Sequence, residues 1–266
     1  MFRFGFNSGA HIQETTACLP AKEIMFCSKE LEKLQSSLAT EEIKVGDHSI
    51  CFLPSSLVLN NIVSDSDRDE SIVQAETNHS DLTSGSYEGG LKVWECTYDL
   101  SEFMLGLGSF LTGKCVLDLG CGSGILGITA YKLGAGTVHF QDYNEGVVKH
   151  FTIPNVYLND PDHLESSNFW AGDWVSFSDT QGKYDVILSS ETIYNPANHG
   201  KLHDLFKKKL KPDGTIFLAG KAYYFGVGGS MSQFQQVMDN ENLFSHHKVW
   251  SSDSGVKREI LEIKYK

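Results

Sequence analysis

The run Val116-Leu117-Asp118-Leu119-Gly120-Cys121-Gly122-Ser123-Gly124 constrains the fold more than any other stretch. Strand-forming residues end at Leu119, and glycine then takes every second position. A helical pattern follows at once, with Ile125, Ile128 and Leu133 at helical spacing and Gly134 where a helix would stop. Strand, glycine turn and helix together let a ligand approach main-chain atoms, because glycine has no Cβ to hold it off. The alternation continues downstream. Strands are predicted over Val116–Leu119, Val138–Gln141, Phe169–Ala171, Tyr184–Ser189 and Thr215–Ala219, with helices between them and Pro212-Asp213-Gly214 as a turn. The chain closes on Lys248–Ser251 and Lys257–Tyr265. In the second of these, the alternation of Ile260, Glu262 and Lys264 suits a half-exposed antiparallel strand. The pattern predicts an α/β fold with one mostly parallel sheet and helices on both faces.

Ahead of this domain the signals are weaker. Over residues 1–63, an N-terminal extension that is partly ordered, the leucines of Glu30–Leu38 lie three and four apart and suit one amphipathic helix. The aromatic start, Met1–Phe6, suits a docking strand or an unstructured arm. Residues 64–81 open on Ser64-Asp65-Ser66-Asp67-Arg68-Asp69-Glu70 and read as an acidic flexible linker, too poor in apolar side chains to order itself. Residues 82–266 form the α/β domain.

The net charge of −12 suits a basic protein partner and disfavours a direct grip on nucleic acid. None of the six cysteines forms a Cys-x-x-Cys pair, so they read as reduced thiols. Neither a membrane span nor a signal-peptide core is evident, and cytoplasm and nucleus, the nucleolus included, are the expected locations. The ten histidines show no metal-ligand spacing, and no metal is expected. Lys207-Lys208-Lys209 with Lys211 reads as a solvated helix face.

Two ligands compete for the glycine turn. Gly122-x-Gly124-x-x-Gly127 fits a dinucleotide site, but there the first glycine directly follows the strand, and here that residue is Gly120. The resulting Asp118-x-Gly120-x-Gly122-x-Gly124 resembles the first motif of class I S-adenosylmethionine-dependent methyltransferases. That cofactor has a sulfonium and an amino-acid moiety, which a glycine backbone and a nearby carboxylate can accommodate. A second acid is required for the ribose hydroxyls, and Gln141-Asp142-Tyr143 supplies Asp142, 22 residues after Gly120. Gly172-Asp173-Trp174 follows the third strand, where Asp173 can accept from the adenine amine and Trp174 can cover the ring. Ser190 ends the fourth strand beside the methyl position.

Three longer segments narrow the reading: Glu88–Thr97, Ser190–Pro196 and Lys221–Gly229. With the two motifs above they closely resemble the protein-histidine methyltransferases that act on a large-subunit ribosomal protein, over roughly residues 81–266. The resemblance implies a Rossmann-like, seven-stranded fold with an antiparallel C-terminal strand, and a methyltransferase domain over 82–266. It implies cofactor contacts from Val93, Trp94, Glu95, Cys96, Thr97, Gly120, Gln141, Asp142, Tyr143, Gly172, Asp173, Trp174 and Ser190, to which the glycine motif adds Asp118 and Gly122. Trp94 would exclude water, Glu95 would bind the cofactor's amino group and Thr97 its carboxylate. Glu191, Tyr194 and Asn195 are candidates to orient the substrate imidazole; the glycines of Tyr223–Gly229 suit a substrate-side lid or groove wall, and its aromatics suit a sandwich around the imidazole. The implied reaction is methyl transfer to a histidine, at the tele nitrogen, by a monomer. A lysine methyltransferase of the same superfamily and a cofactor-binding chaperone without catalysis stay open as alternatives, and the glycine register disfavours an oxidoreductase.

Overall fold

A computed structural model describes residues 18–27, 31, 39–66 and 68–266. Apart from Leu31, the helix expected over Glu30–Leu38 lies outside the described residues, as does the aromatic start. The strands are β1 (Lys22–Glu23), β2 (Glu41–Val45), β3 (His48–Phe52), β4 (Cys115–Leu119), β5 (Thr137–Asp142), β6 (Asn168–Ala171), β7 (Tyr184–Ser190), β8 (Leu210–Lys221), β9 (Phe244–Ser251) and β10 (Arg258–Tyr265). The main sheet has the order β1-β6-β5-β4-β7-β8-β10-β9. From β6 to β8 it is parallel; β10 runs antiparallel to β8 and to β9. The seven expected strands are all present. An eighth, the two-residue β1, adds itself antiparallel to β6.

Alternate residues of β4 face opposite sides. Val116 packs into one buried cluster with Val138, Phe140 and the helix Glu95–Leu105, while Leu117 and Leu119 pack into the other with Leu202 and Phe206 of the helix His199–Lys209. Both faces of the sheet are therefore covered, which is why its strands read as unbroken apolar runs. The strand order reverses at β4, which lies between β5 and β7. Ligands bind at this kind of switch point, outside the carboxyl ends of the strands.

Three local features depart from expectation. Pro212-Asp213-Gly214 does not precede β8 but bulges within it, since the pairing with β7 jumps from Leu210 to Thr215. The hairpin β2–β3 is held by Asn155 Oδ1, which accepts from Leu53 N at 2.9 Å, and by Asn159 Oδ1, which accepts from Cys51 N at 2.9 Å. Residues 64–81, expected as a flexible linker, contain the helix Glu70–Thr77, capped by Asp69 and burying Ile72 and Ala75. Its order comes from tertiary contact. Asn144 Nδ2 donates to Ser71 Oγ at 3.2 Å, and Gly146 passes so close that a Cβ there would lie 2.9 Å from Asp69 Cβ.

Candidate active site

Beyond Leu119 the backbone turns left-handed three times, at Gly120 (φ 68°), Gly122 (φ 49°) and Gly124 (φ 77°). A Cβ at Gly120 would stand 2.7 Å from Thr192 Cγ2, and one at Gly122 would stand 2.9 Å from the carbonyl oxygen of Gly90. The glycines thus meet both a conformational and a steric requirement. The loop is also fastened from behind. After β5 the chain makes a π-helical turn, Val148–Thr152, that aims Thr152 Oγ1 at the Gly122 carbonyl (2.7 Å); in the next helix Asn155 Nδ2 donates to the Ser123 carbonyl (2.9 Å).

Asp118 does not meet the expectation of a cofactor contact. It is buried beneath the loop, where Oδ2 accepts from Gly127 N at 2.8 Å and Oδ1 has no partner among the described residues. Burial pushes its carboxyl up to about 8. A folded-state pKa above the unfolded one contributes stability that is complete below the ordinary carboxylate range and is lost as pH rises through about 8. Asp118→Asn keeps an acceptor for Gly127 and cannot ionise. It is expected to flatten the fall in melting temperature over this range, and an unchanged slope would refute the assignment.

At the end of β5, Asp142 is 5% exposed and lines a cleft of about 870 Å³. Its Oδ2 accepts from Gly122 N at 2.9 Å and its Oδ1 from Asn144 N at 3.3 Å, while burial raises its pKa. Tyr143, Asp173 and Trp174 line the same end. Asp173 is already engaged: Oδ1 caps the following helix at Val175 N (2.8 Å) and Oδ2 pairs with Lys201 Nζ (3.0 Å). Gln141 and Gly172, expected as contacts, stand one layer behind. Buried Gln141 donates from Nε2 to the carbonyls of Asp142 and Gly172 (both 2.8 Å) and accepts from Trp174 Nε1 at 3.1 Å. Gly172 (φ 126°) lies against Pro20, whose carbonyl would be 2.5 Å from a Cβ.

The segment 82–90 forms another wall of the cleft, tied by Tyr143 Oη donating to the Gly85 carbonyl (2.9 Å) and Asn195 Nδ2 donating to Ser84 Oγ (2.8 Å). Asn195 lines the cleft, with its amide engaged in this tether and accepting from Ala197 N (3.0 Å). On the same wall Glu88, not singled out from the sequence, has its Oε2 buried without a partner among the described residues; burial raises its pKa.

At the opposite end, Val93, Trp94, Thr97 and Ser190 line the cleft, and Thr97 Oγ1 lies 2.8 Å from Ser190 Oγ. Glu95 and Cys96, expected to touch the cofactor, do not line it. Cys96 is fully buried, and Glu95 turns outward to pair with Lys221 Nζ at 2.9 Å. Lys221 does line the cleft, above the rings of Trp94 (5.4 Å) and Tyr224 (6.0 Å). Burial works against its charge, but Glu95 and Glu191 outweigh that and raise its pKa. Glu191, buried at a strained φ of 60°, accepts from Cys96 N at 3.4 Å and lies 3.7 Å from Lys221 Nζ. Its Oε2 has no partner among the described residues by distance and angle, with Tyr224 as its neighbour; burial, then that carboxylate, push the Tyr224 phenol up. Tyr194 lines the cleft with its ring 6.4 Å from that of Tyr224. Lys221 lies two residues beyond the strand expected over Thr215–Ala219 and opens the segment Lys221–Gly229, and that position was the available signal for it.

S-adenosylmethionine fits these residues. Gly120 and Gly122 line the cleft with main chain alone, and Asp142, bonded to Gly122 N, presents a buried carboxylate beside them. Among the described residues no group of His, Cys, Asp or Glu could hold a metal ion.

A family model described as ribosomal protein L11 methyltransferase (PrmA) matches residues 102–251. The chain is 36% identical to the bovine "Histidine protein methyltransferase 1 homolog", over 98% of this chain and 77% of that protein. It is 41% identical to the rat protein of the same name, over 74% of this chain and 62% of that one. With the Dictyostelium discoideum homolog it shares 40% identity, over 69% and 60%. The chain therefore spans about three-fifths of the length of the rat and Dictyostelium relatives. Among solved structures, magnesium protoporphyrin IX methyltransferase from Synechocystis PCC 6803 with bound S-adenosylmethionine superposes with a TM-score of 0.52, at 16% identity over 79% of this chain and 91% of that one. A putative methyltransferase from Streptococcus mutans gives a TM-score of 0.56, at 14% identity over 86% and 56%. Both likenesses concern the fold, that of class I methyltransferases.

Proposed function

Because this chain belongs to the histidine protein methyltransferase family, we propose that it moves a methyl group from S-adenosylmethionine to a histidine of a basic protein, a large-subunit ribosomal protein, at the tele nitrogen. It does so as a monomer, in the cytoplasm or the nucleus. The observation that carries the reading is one continuous cleft with the glycine cradle and Asp142 at one end and Glu191, Tyr194 and Tyr224 at the other.

When bound, the cofactor supplies an electrophilic methyl group on a cationic sulfur. The chain's own residues bind and position. Asp142 takes the ribose hydroxyls, Gly120 and Gly122 admit the cofactor against their backbone, and Trp94 shields the reacting centre from water. A free imidazole has a pKa of ~6.5 and is mostly neutral near pH ~7, so positioning matters more than base catalysis. Glu191 accepts the ring N–H that is not attacked. This fixes the tautomer, turns the remote nitrogen's lone pair toward the methyl group and offsets the charge that develops on the ring. Lys221 supports a histidine over a lysine acceptor. The acceptor end already holds one ammonium 3.7 Å from Glu191, and a lysine would bring a second.

The test is transfer of labelled methyl from S-adenosylmethionine to ribosomal proteins lacking the modification, with the labelled residue mapped by mass spectrometry. Label on histidine at the tele nitrogen is expected; label on lysine would overturn the reading.

A further inference from the structure

The mouth of the cleft carries apolar side chains for which methyl transfer has no use. Phe225 is 82% exposed, Tyr223 48%, Val256 46% and Val227 45%, and all four line the cleft. The loop that presents them is firmly held. Tyr224 is its buried anchor: its Oη accepts from Lys221 N at 3.1 Å, its N donates to the Gly229 carbonyl at 2.8 Å, and its carbonyl accepts from Gly228 N at 3.0 Å. Gly229 N reaches the Tyr194 carbonyl at 2.9 Å, and Ala222 N reaches the Lys257 carbonyl at 2.8 Å, beside Val256. Tyr223 and Phe225 meet edge to face at 5.0 Å. Between these side chains, the sites where Gly226 and Gly228 would carry a Cβ have nothing within 4 Å. A rigid loop that turns a cluster of apolar groups outward around an open backbone gap has the character of a contact surface.

We propose that this rim docks the substrate beside its target histidine, and that it selects a segment with a bulky aromatic or branched apolar residue next to that histidine. The inference rests on the methyl-transfer reading above. The occupant is the substrate segment because the rim runs unbroken into the acceptor end. Tyr224 is the residue between Tyr223 and Phe225, and Gly229 is bonded to Tyr194, so Phe225 and Val227 stand on the rim of the same cleft that holds Glu191. The sequence suggested that these aromatics sandwich the imidazole itself. Their exposure assigns them to its neighbour instead.

The experiment uses two fluorescent peptides with a central histidine, flanked by phenylalanine and leucine in one and by serines in the other. Binding is measured by anisotropy with S-adenosylhomocysteine present, and turnover by methyl transfer. The apolar peptide is expected to bind the parent chain about tenfold more tightly. Phe225→Ser and Val227→Ser should each erase most of that preference, raising KM while leaving kcat and S-adenosylhomocysteine affinity within about twofold. Equal binding of the two peptides by the parent chain overturns the inference and leaves methyl transfer to histidine intact. Preferential binding without label on histidine supports the docking surface and overturns the reaction. A concentration-dependent dimer that Phe225→Ser abolishes assigns the rim to a second copy and overturns the inference.

Discussion

Asp142→Ala is expected to weaken S-adenosylmethionine binding about a hundredfold or more, as measured by calorimetry. Two hydroxyl donors to a carboxylate contribute about 1.5–3 kcal/mol each, and about 3 kcal/mol corresponds to more than a hundredfold in affinity. The structure adds a second loss. Asp142 also accepts from Gly122 N and Asn144 N, so alanine leaves two main-chain donors unpaired and loosens the glycine loop itself. Asp142→Asn separates the two effects. Its remaining oxygen can still hold Gly122 N, so the melting temperature should stay near that of the parent while affinity falls. Affinity unchanged in both variants would remove Asp142 from the ribose site.

The second large effect belongs to the acceptor end. A Cβ at Gly229 would stand 2.2 Å from the Ile193 carbonyl and 2.3 Å from that of Tyr194, both backbone atoms that cannot step aside. Gly229→Ala must therefore push the Tyr223–Gly229 loop away from the strand end that carries Glu191. Overpacking of this kind costs about 1–3 kcal/mol, and a displacement of about 1 Å at a reacting centre lowers rate on the order of a hundredfold. We expect histidine methylation to fall by that factor while cofactor affinity stays within about twofold. A parallel loss of cofactor affinity would mean that the loop also supports the cradle and that the two ends are not separable.

The cradle was legible in the sequence because its chemistry is local. Three alternating glycines after an apolar run, and an acid at the next strand end, need no distant partner to be understood. Contacts one layer back were not separable from contacts in the cleft. Cys96, Gln141 and Gly172 sit inside the right motifs, yet they hold the residues that line the cleft, and a linear motif does not distinguish the two. Asp118 belongs with them. The helix Glu70–Thr77 was missed because its order depends on Asn144, far along the chain. Lys221 became a site residue only once β8 lay beside β7 and the helix beginning at Glu95 closed over both. The hairpin β2–β3 did carry a signal: Ile43 and Val45 alternate with exposed residues in one strand and Ile50 and Phe52 with less buried ones in the other, with Ile43 opposite Ile50 and Gly46-Asp47 at the turn.

The fastening of the glycine loop bears on how binding divides between heat and disorder. Thr152, Asn155, Asp142 and Asp118 each hold a backbone group of the loop or of the helix that follows it. Such a segment would otherwise be the most mobile in the domain, yet its freedom is surrendered during folding and not when the ligand arrives. Its amide protons, at Gly122 and Gly127 above all, should exchange with deuterated solvent as slowly as those of a central strand. A cradle held in this way has little conformational freedom left to lose when the ligand arrives, so the entropic penalty of association is small.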